Sequence, residues 1–250
     1  MQVVRVSWAE FKAIASHDIE LDGAIIYRGQ RQASWGLVSS VHRTALVQSI
    51  VSLKRYADYM LPQVLDALEA WTGRSWDLKN ALGLAEFLAY LQHNGFPTPL
   101  LDWTESPYIA AYFAFEGVNH FKPQAEDVAI FAFNQKAWTS SFKQTYDFAD
   151  FAPHVSVLRP RLIGNHKLAL QQGVFTMTNV TDIEQHIRLN EEDGKAFLTK
   201  YELDVRERPR VIRELSLMGV SAVQLTPSIE AVCKKAVEDL IGLIPIESAS

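Results

Sequence analysis

The sequence predicts a single domain of the α+β class, with a central mixed or antiparallel sheet and a helical N-terminal half. Three observations carry this prediction. Short apolar runs rich in strand formers stand at residues 24–27 and 128–133. Long stretches of three- and four-residue apolar spacing lie between residues 46 and 91. No internal repeat, low-complexity tract or linker divides the 250 residues.

The elements follow in order. Ser7 can cap a first helix over residues 7–16, with Glu10 three residues on and Trp8, Phe11 and Ile14 on one stripe. Ala24, Ile25, Ile26 and Tyr27 read as a buried strand that turns sharply at Arg28-Gly29. A long helix then carries Leu46, Ile50, Leu53, Ala57, Met60, Val64, Leu68 and Trp71 on one face, with a kink at Pro62 and an end at Gly73. A second helix opens near Ser75 or Asp77, turns Leu78, Leu82, Ala85, Leu88 and Leu91 inward, and stops at Asn94-Gly95. Pro97 and Pro99 force an extended path. Ser106-Pro107 starts a helix that is apolar nearly all round, and so must be buried on most sides, up to Gly117. Residues 128–133 read as a central strand, with further strands at 155–158, 173–177 and 197–203. A helix over 210–218 is closed by Gly219, and residues 222–225 read as a strand. A last helix after Thr226-Pro227 is expected to turn Ile229, Val232, Cys233, Ala236, Val237 and Leu240 to the core, which makes Cys233 a packing residue.

Bulk properties narrow the function classes. Hydrophobic residues at 48 % and charged residues at 21 % describe an ordinary globular chain, large enough to need no disulfide or structural metal. The one cysteine cannot form an internal bridge, which favours a reducing compartment. The first eight residues lack the pattern of a signal peptide, and no segment approaches roughly 18 uncharged apolar residues, so a cytoplasmic protein without membrane contact is expected. The net charge of -5 argues against general attraction to nucleic acid. The chain lacks a Walker loop, a Rossmann glycine pattern, a two-histidine zinc helix and a glycine-flanked serine elbow. Its seven histidines show no ligand spacing, so no metal is expected.

The chemistry-bearing residues sit at the ends of apolar elements. Arg28 follows an apolar strand, and a guanidinium there can grip a phosphate or carboxylate through two parallel hydrogen bonds. The alternative is a structural ion pair with a buried carboxylate, for which Asp102, between Leu101 and Trp103, is the expected partner. Thr104 and Ser106 stand at the mouth of a buried helix, where free amides favour anions; Ser106 also serves as a cap. Gln171-Gln172-Gly173 can read a ribose or base edge, or can tie down neighbouring backbone. Gln92-His93 offers either a ligand contact or a helix cap.

The order of these pieces resembles the FRG domain family. The residues that carry the resemblance are Tyr27-Arg28-Gly29-Gln30, then Gln92-His93-Asn94-Gly95-Phe96-Pro97-Thr98-Pro99-Leu100-Leu101-Asp102-Trp103-Thr104, then Ser106-Pro107 with Ala110 and Phe113-Ala114, then Gln172-Gly173-Val174-Phe175-Thr176. It runs from about Trp8 to Thr226-Pro227, and the family is mostly bacterial, with no assigned biochemical function. Pro99 stands where many relatives carry a basic residue, and Thr226-Pro227 where an aromatic-proline pair is commoner.

A fainter resemblance, to ADP-ribosyltransferases, implies a function. In those enzymes an arginine at the end of the first core strand grips NAD. A serine/threonine strand leads into a helix with alanine and phenylalanine-alanine spacing, and a later strand presents a glutamate to the oxocarbenium-like ribose. Arg28 matches the first element, Thr104-Glu105-Ser106 with Ala110 and Phe113-Ala114 the second, and Gln171 or Gln172 falls near the third. The resemblance implies NAD as cofactor, with Arg28, Thr104, Ser106 and Gln172 in catalytic roles. Tyr27, Gly29, Gln30, His93, Asp102 and Gln171 would line its binding site beside Arg28. It further implies a macromolecular acceptor, a toxin or anti-phage setting, and a partner protein that restrains the domain. Glutamine cannot offset a developing positive charge, so either Asp102 or Glu105 takes that part or the nucleotide is bound without turnover. The competing expectation is a non-catalytic protein-interaction domain in which Arg28 and Asp102 form a buried strut.

Overall fold

The computed structural model describes residues 1–18, 24–44, 47, 49–117, 126–160, 166–191 and 196–242. Seven strands form one mixed sheet: β1 (Gln2–Arg5), β2 (Ile25–Gln30), β3 (Leu100–Thr104), β4 (Val128–Asn134), β5 (Val155–Leu158), β6 (Gly173–Thr178) and β7 (Leu198–Leu203). Their order across the sheet is β1-β7-β4-β2-β3-β6-β5. Only β1 and β7 run parallel; the remaining neighbours are antiparallel.

The helices are α1 (Trp8–Asp18), α2 (Ser40–Arg43), α3 (Ile50–Arg55), α4 (Leu61–Thr72), α5 (Ala81–His93), α6 (Pro107–Phe115), α7 (Gln135–Ser141), α8 (His166–Leu170), α9 (Ile183–Leu189), α10 (Arg208–Leu217), α11 (Ala222–Leu225) and α12 (Ile229–Gly242). The α+β class with a central mixed sheet and a helical N-terminal half is what the sequence predicts.

Local chemistry explains the boundaries. Ser7 and Glu10 form the expected capping box at α1: the Ser7 amide donates to Glu10 Oε2 at 2.7 Å and the Glu10 amide to Ser7 Oγ at 3.3 Å. The kink expected at Pro62 takes the form of a π turn over Tyr56–Met60, where the Leu61 amide reaches back to Tyr56 O. Proline has no amide and crowds the carbonyl four residues back, so widening the preceding turn relieves the clash. Leu46, expected to open this helix, lies outside the described residues, and Trp71, expected inward, is 88 % exposed.

The sheet is buried on both faces. Tyr27, Ile130 and Ala132 pack with Trp8, Phe11 and the alanines of α6. Ile26, Phe131 and Phe133 pack with Trp103 and Trp138 on the other face. The helices from α3 to α5 cover the β3-β6-β5 end, where Leu53, Tyr56 and Leu88 meet Phe175 and Met177.

Four expectations are corrected. The chain does not turn at Arg28-Gly29, because β2 runs on to Gln30 in full register with β4. The second helix begins at Ala81, capped by Asn80, whose side chain accepts from the Leu82 amide. Residues 222–225 form a helical turn, not a strand: the Leu225 amide closes onto Ser221 O at 3.0 Å. The last helix is reversed. Ile229, Val232, Val237 and Leu240 are exposed, Cys233 with them, while Ala231 and Glu238 face inward.

Candidate functional site

A break in the central sheet creates the site. The strands β2 and β3 are neighbours, yet they pair at one position alone, Tyr27 with Thr104. Beyond it β2 keeps its register with β4, while β3 keeps its register with β6. A cleft of ≈ 580 Å³ opens there. Residues 27–31 and 102–104 line it, joined by Gln92 and His93 from the end of α5, Lys167 and Gln171 near α8, and Leu225, Thr226 and Lys234 from the C-terminal segment.

Gly29 explains how Arg28 comes to stand on this wall. A Cβ built on Gly29 would lie 2.0 Å from the carbonyl oxygen of Ala110 and 2.6 Å from the amide of Ala114. Here α6 therefore packs backbone against backbone, through two alanines that are fully buried. The glycine is needed for that approach and not for a turn.

Arg28 is held on few bonds. Its side chain is 17 % exposed. Nη1 donates to the backbone carbonyl of Asp102 at 2.7 Å, and Nε is buried without a partner. The Asp102 carboxylate lies 3.9 Å away, with its side chain 61 % exposed. The buried strut expected between the two residues is thus an ion pair at its outer limit, with one member in solvent. Burial pushes the Arg28 guanidinium below its ordinary range; Asp102 works against this and Arg43 adds to it. A largely buried guanidinium whose Nε lacks an acceptor is a costly arrangement unless an anion completes it.

The other sequence candidates divide between the cleft and the frame around it. Thr104 is buried and lines the cleft, but its hydroxyl is engaged: Oγ1 donates to Gln171 O at 2.7 Å and accepts from the Ser106 amide at 3.1 Å. Gln171 lines the cleft, and its Nε2 donates to Leu225 O at 3.3 Å. Tyr27 donates to Asp18 Oδ2 at 2.8 Å, and burial together with Asp18 pushes its phenol above the ordinary range. Gln30 is buried and donates to Gly36 O at 3.1 Å. His93 is on the cleft wall, its pKa lowered by partial burial and then by Lys167.

Ser106 and Gln172 are not brought to the cleft. Ser106 caps α6 by accepting from the Ile109 amide at 3.3 Å. Gln172 is exposed, in the left-handed region with φ 47°, and its carbonyl accepts from the Glu105 amide at 3.0 Å. Glu105 itself faces away, paired with Arg159 at 2.6 Å.

Among the cleft residues that sequence reasoning missed are four that bring charge or an aromatic face, Arg31, Trp35, Glu116 and Lys234, besides Lys167. Arg31 stands three residues beyond Arg28, a signal that was available; the other three carry none. Counting Lys167, the lining holds four cations (Arg28, Arg31, Lys167, Lys234) against two carboxylates (Asp102, Glu116). That is a local excess of positive charge in a chain whose net charge is -5. Such a cleft attracts anions.

Among the described residues no helix is long and apolar enough to cross a membrane. No curated protein and no solved structure matches the chain. Residues 23–123, which hold Arg28, Gly29, the break between β2 and β3, and all of α6, match the FRG domain, and the chain carries an FRG domain.

Proposed function

We propose that this FRG-domain protein binds NAD in the cleft between β2 and β3, with Arg28 on the pyrophosphate, and that ADP-ribosyl transfer to a macromolecule is the activity built on that binding. The observation that carries the reading is the buried Arg28 Nε without an acceptor on the wall of an open cleft. The resemblance to ADP-ribosyltransferases gains support from strand order. Its three elements fall on the adjacent strands β2, β3 and β6, carrying Arg28, Thr104 and the Gln171-Gln172-Gly173 approach. The volume suits part of a dinucleotide. The flanking of one sheet by all three apolar clusters supports reading residues 1–250 as one domain, and a cytoplasmic setting accords with the lone cysteine.

In transfer, the bond from C1′ of the ribose to nicotinamide breaks with its electron pair on the departing base. The acceptor's nucleophile forms the new bond to C1′ and gives its proton to solvent. The resemblance puts Gln171 or Gln172 where that chemistry wants a carboxylate; Gln171 is the one of the two that lines the cleft, and both are neutral. This favours a second reading, binding without turnover.

Thermal unfolding of the full chain with and without NAD tests the binding. At ~100 times its dissociation constant NAD should add ~2.7 kcal/mol, a rise of about 5–11 °C for a chain of this size. Arg28→Met should abolish that rise while leaving unliganded stability unchanged or higher, because it removes a poorly solvated charge and keeps the volume. No rise in the wild type defeats the nucleotide reading, and a large loss in unliganded Arg28→Met favours a structural strut. Incubation with labelled NAD and cell extract then separates transfer from binding alone.

A further inference from the structure

The cleft has a second cationic corner that Arg28 does not account for. Glu116 caps the C-terminal end of α6 with its side chain 13 % exposed. Its Oε1 accepts from Arg31 Nη2 at 3.0 Å, and its Oε2 accepts from Lys234 Nζ. Each cation also has a neighbour other than Glu116. The Arg31 guanidinium lies against the backbone of Gly117, where an added Cβ would come within 2.4 Å of it. Lys234 Nζ stands 5.7 Å from the centre of the Tyr112 ring. One carboxylate thus lies between two cations on the cleft wall, and two oxygens of a phosphate would take the same hydrogen bonds with more charge.

We propose that Glu116 is a displaceable internal occupant of a second anion subsite, and that the natural ligand carries at least two phosphate charges. One is taken by Arg28 and one by Arg31 with Lys234. The assignment of these charges to a nucleotide rests on the reading above. Arg28 and Arg31 both line the cleft three residues apart, at most about 10 Å along the chain, so a monophosphate engages one subsite while a diphosphate reaches toward both. The corner is completed from outside the FRG match, since Lys234 lies beyond residues 23–123. The plainer account makes Glu116 a clamp that ties α12 to the end of α6.

Calorimetric titration of the full chain with ADP, AMP, pyrophosphate, phosphate and NAD decides between them. ADP should bind on the order of tenfold more tightly than AMP, and pyrophosphate should exceed phosphate similarly, as one added charge-assisted contact allows. Glu116→Gln should tighten ADP binding several-fold by releasing both cations, and Lys234→Met should bring the ADP and AMP affinities together. Equal binding of ADP and AMP overturns the proposal. So does a folded Glu116→Gln whose ADP affinity is unchanged or weaker. If Glu116→Gln does not fold, Lys234→Met decides alone, and an unchanged ADP to AMP ratio refutes the subsite. NAD binding that ignores Glu116 and the number of phosphates leaves the NAD reading standing and removes the subsite. Pyrophosphate binding with the expected Glu116 dependence but no NAD binding does the reverse. A chain that binds none of these ligands loses both.

Discussion

Gly29→Ala isolates the packing on which the site depends. The added methyl would meet the Ala110 carbonyl oxygen at 2.0 Å and the Ala114 amide at 2.6 Å, against about 3.5–4.0 Å for a comfortable contact between carbon atoms. Both neighbours are backbone inside a helix, so no rotamer change relieves the overlap and α6 must withdraw by roughly 1 Å or more. A gap of that size forfeits a quarter to a half of the dispersion energy of each contact along the interface. The penalty falls at or above the upper end of the usual range for overpacking, about 3 kcal/mol. Urea denaturation should show it as a midpoint lowered by about 1 M if the slope is near 3 kcal/mol/M. Thermal unfolding should fall by about 6–12 °C. Adding Ala110→Gly should not restore stability, because the clash is with a main-chain carbonyl that glycine keeps. A Gly29→Ala midpoint equal to wild type would refute the reasoning and leave ligand approach as the reason for the glycine.

Two further perturbations test the frame. Glu214 accepts from Lys12, from Arg210 Nε at 2.9 Å and from Trp8 Nε1 at 2.8 Å, and these contacts, Lys12 foremost, hold its carboxyl at about 2 against an ordinary 4.5. A depressed carboxyl stabilises the fold above its ordinary value, and that contribution is lost as pH falls from 4.5 toward 2. Discounted for solvent screening it is about 1–2 kcal/mol, so Glu214→Gln should flatten the fall of urea stability across that window; equal slopes in the two proteins would contradict this. Gln172 sits at φ 47°, a conformation that costs a non-glycine residue about 1 kcal/mol. Gln172→Gly should therefore raise stability by about 0.5–1 kcal/mol, with the NAD-dependent thermal shift intact; loss of that shift would return Gln172 to the site.

Local signals carried most of the fold. Capping at Ser7 and Ser106, β-rich runs at 128–133 and 155–158, and the all-round apolar face of α6 each arise from neighbours in sequence, and each holds in the structure. The strand β1 had no such signal, since its partner β7 lies nearly the whole chain away. Glycine after Arg28 has two physical uses, a turn or a close approach, and only the position of α6 decides between them. A four-residue apolar run such as 222–225 suits either a strand or a helical turn. The site divides in the same way. Arg28, Asp102 and Thr104 were legible because they interrupt apolar strands. Glu116 and Lys234 carry no local signal, and the fold brings them to one cleft with Arg31, whose nearness to Arg28 was the one available hint.

The reversed C-terminal helix shows what periodicity leaves undetermined. The stripe of Ile229, Val232, Val237 and Leu240 is real as a pattern, but a pattern fixes an apolar side and not the direction in which it faces. The body of the protein offers α12 charged partners. Lys234 meets Glu116, and Glu238 Oε1 accepts from Tyr112 Oη at 3.2 Å while its Oε2 is buried without a partner. Desolvation pushes the Glu238 carboxyl above its ordinary range, with Lys234 foremost among the groups acting against it. A helix that docks through such contacts forgoes the ~1.5–3 kcal/mol that burying each of its aliphatic side chains would contribute, so α12 belongs at the low-stability end of the structure. The same helix supplies Lys234 to the cleft. A ligand held at the proposed second anion subsite would therefore add a contact to α12 through Lys234, and its binding would stabilise the docking of that helix.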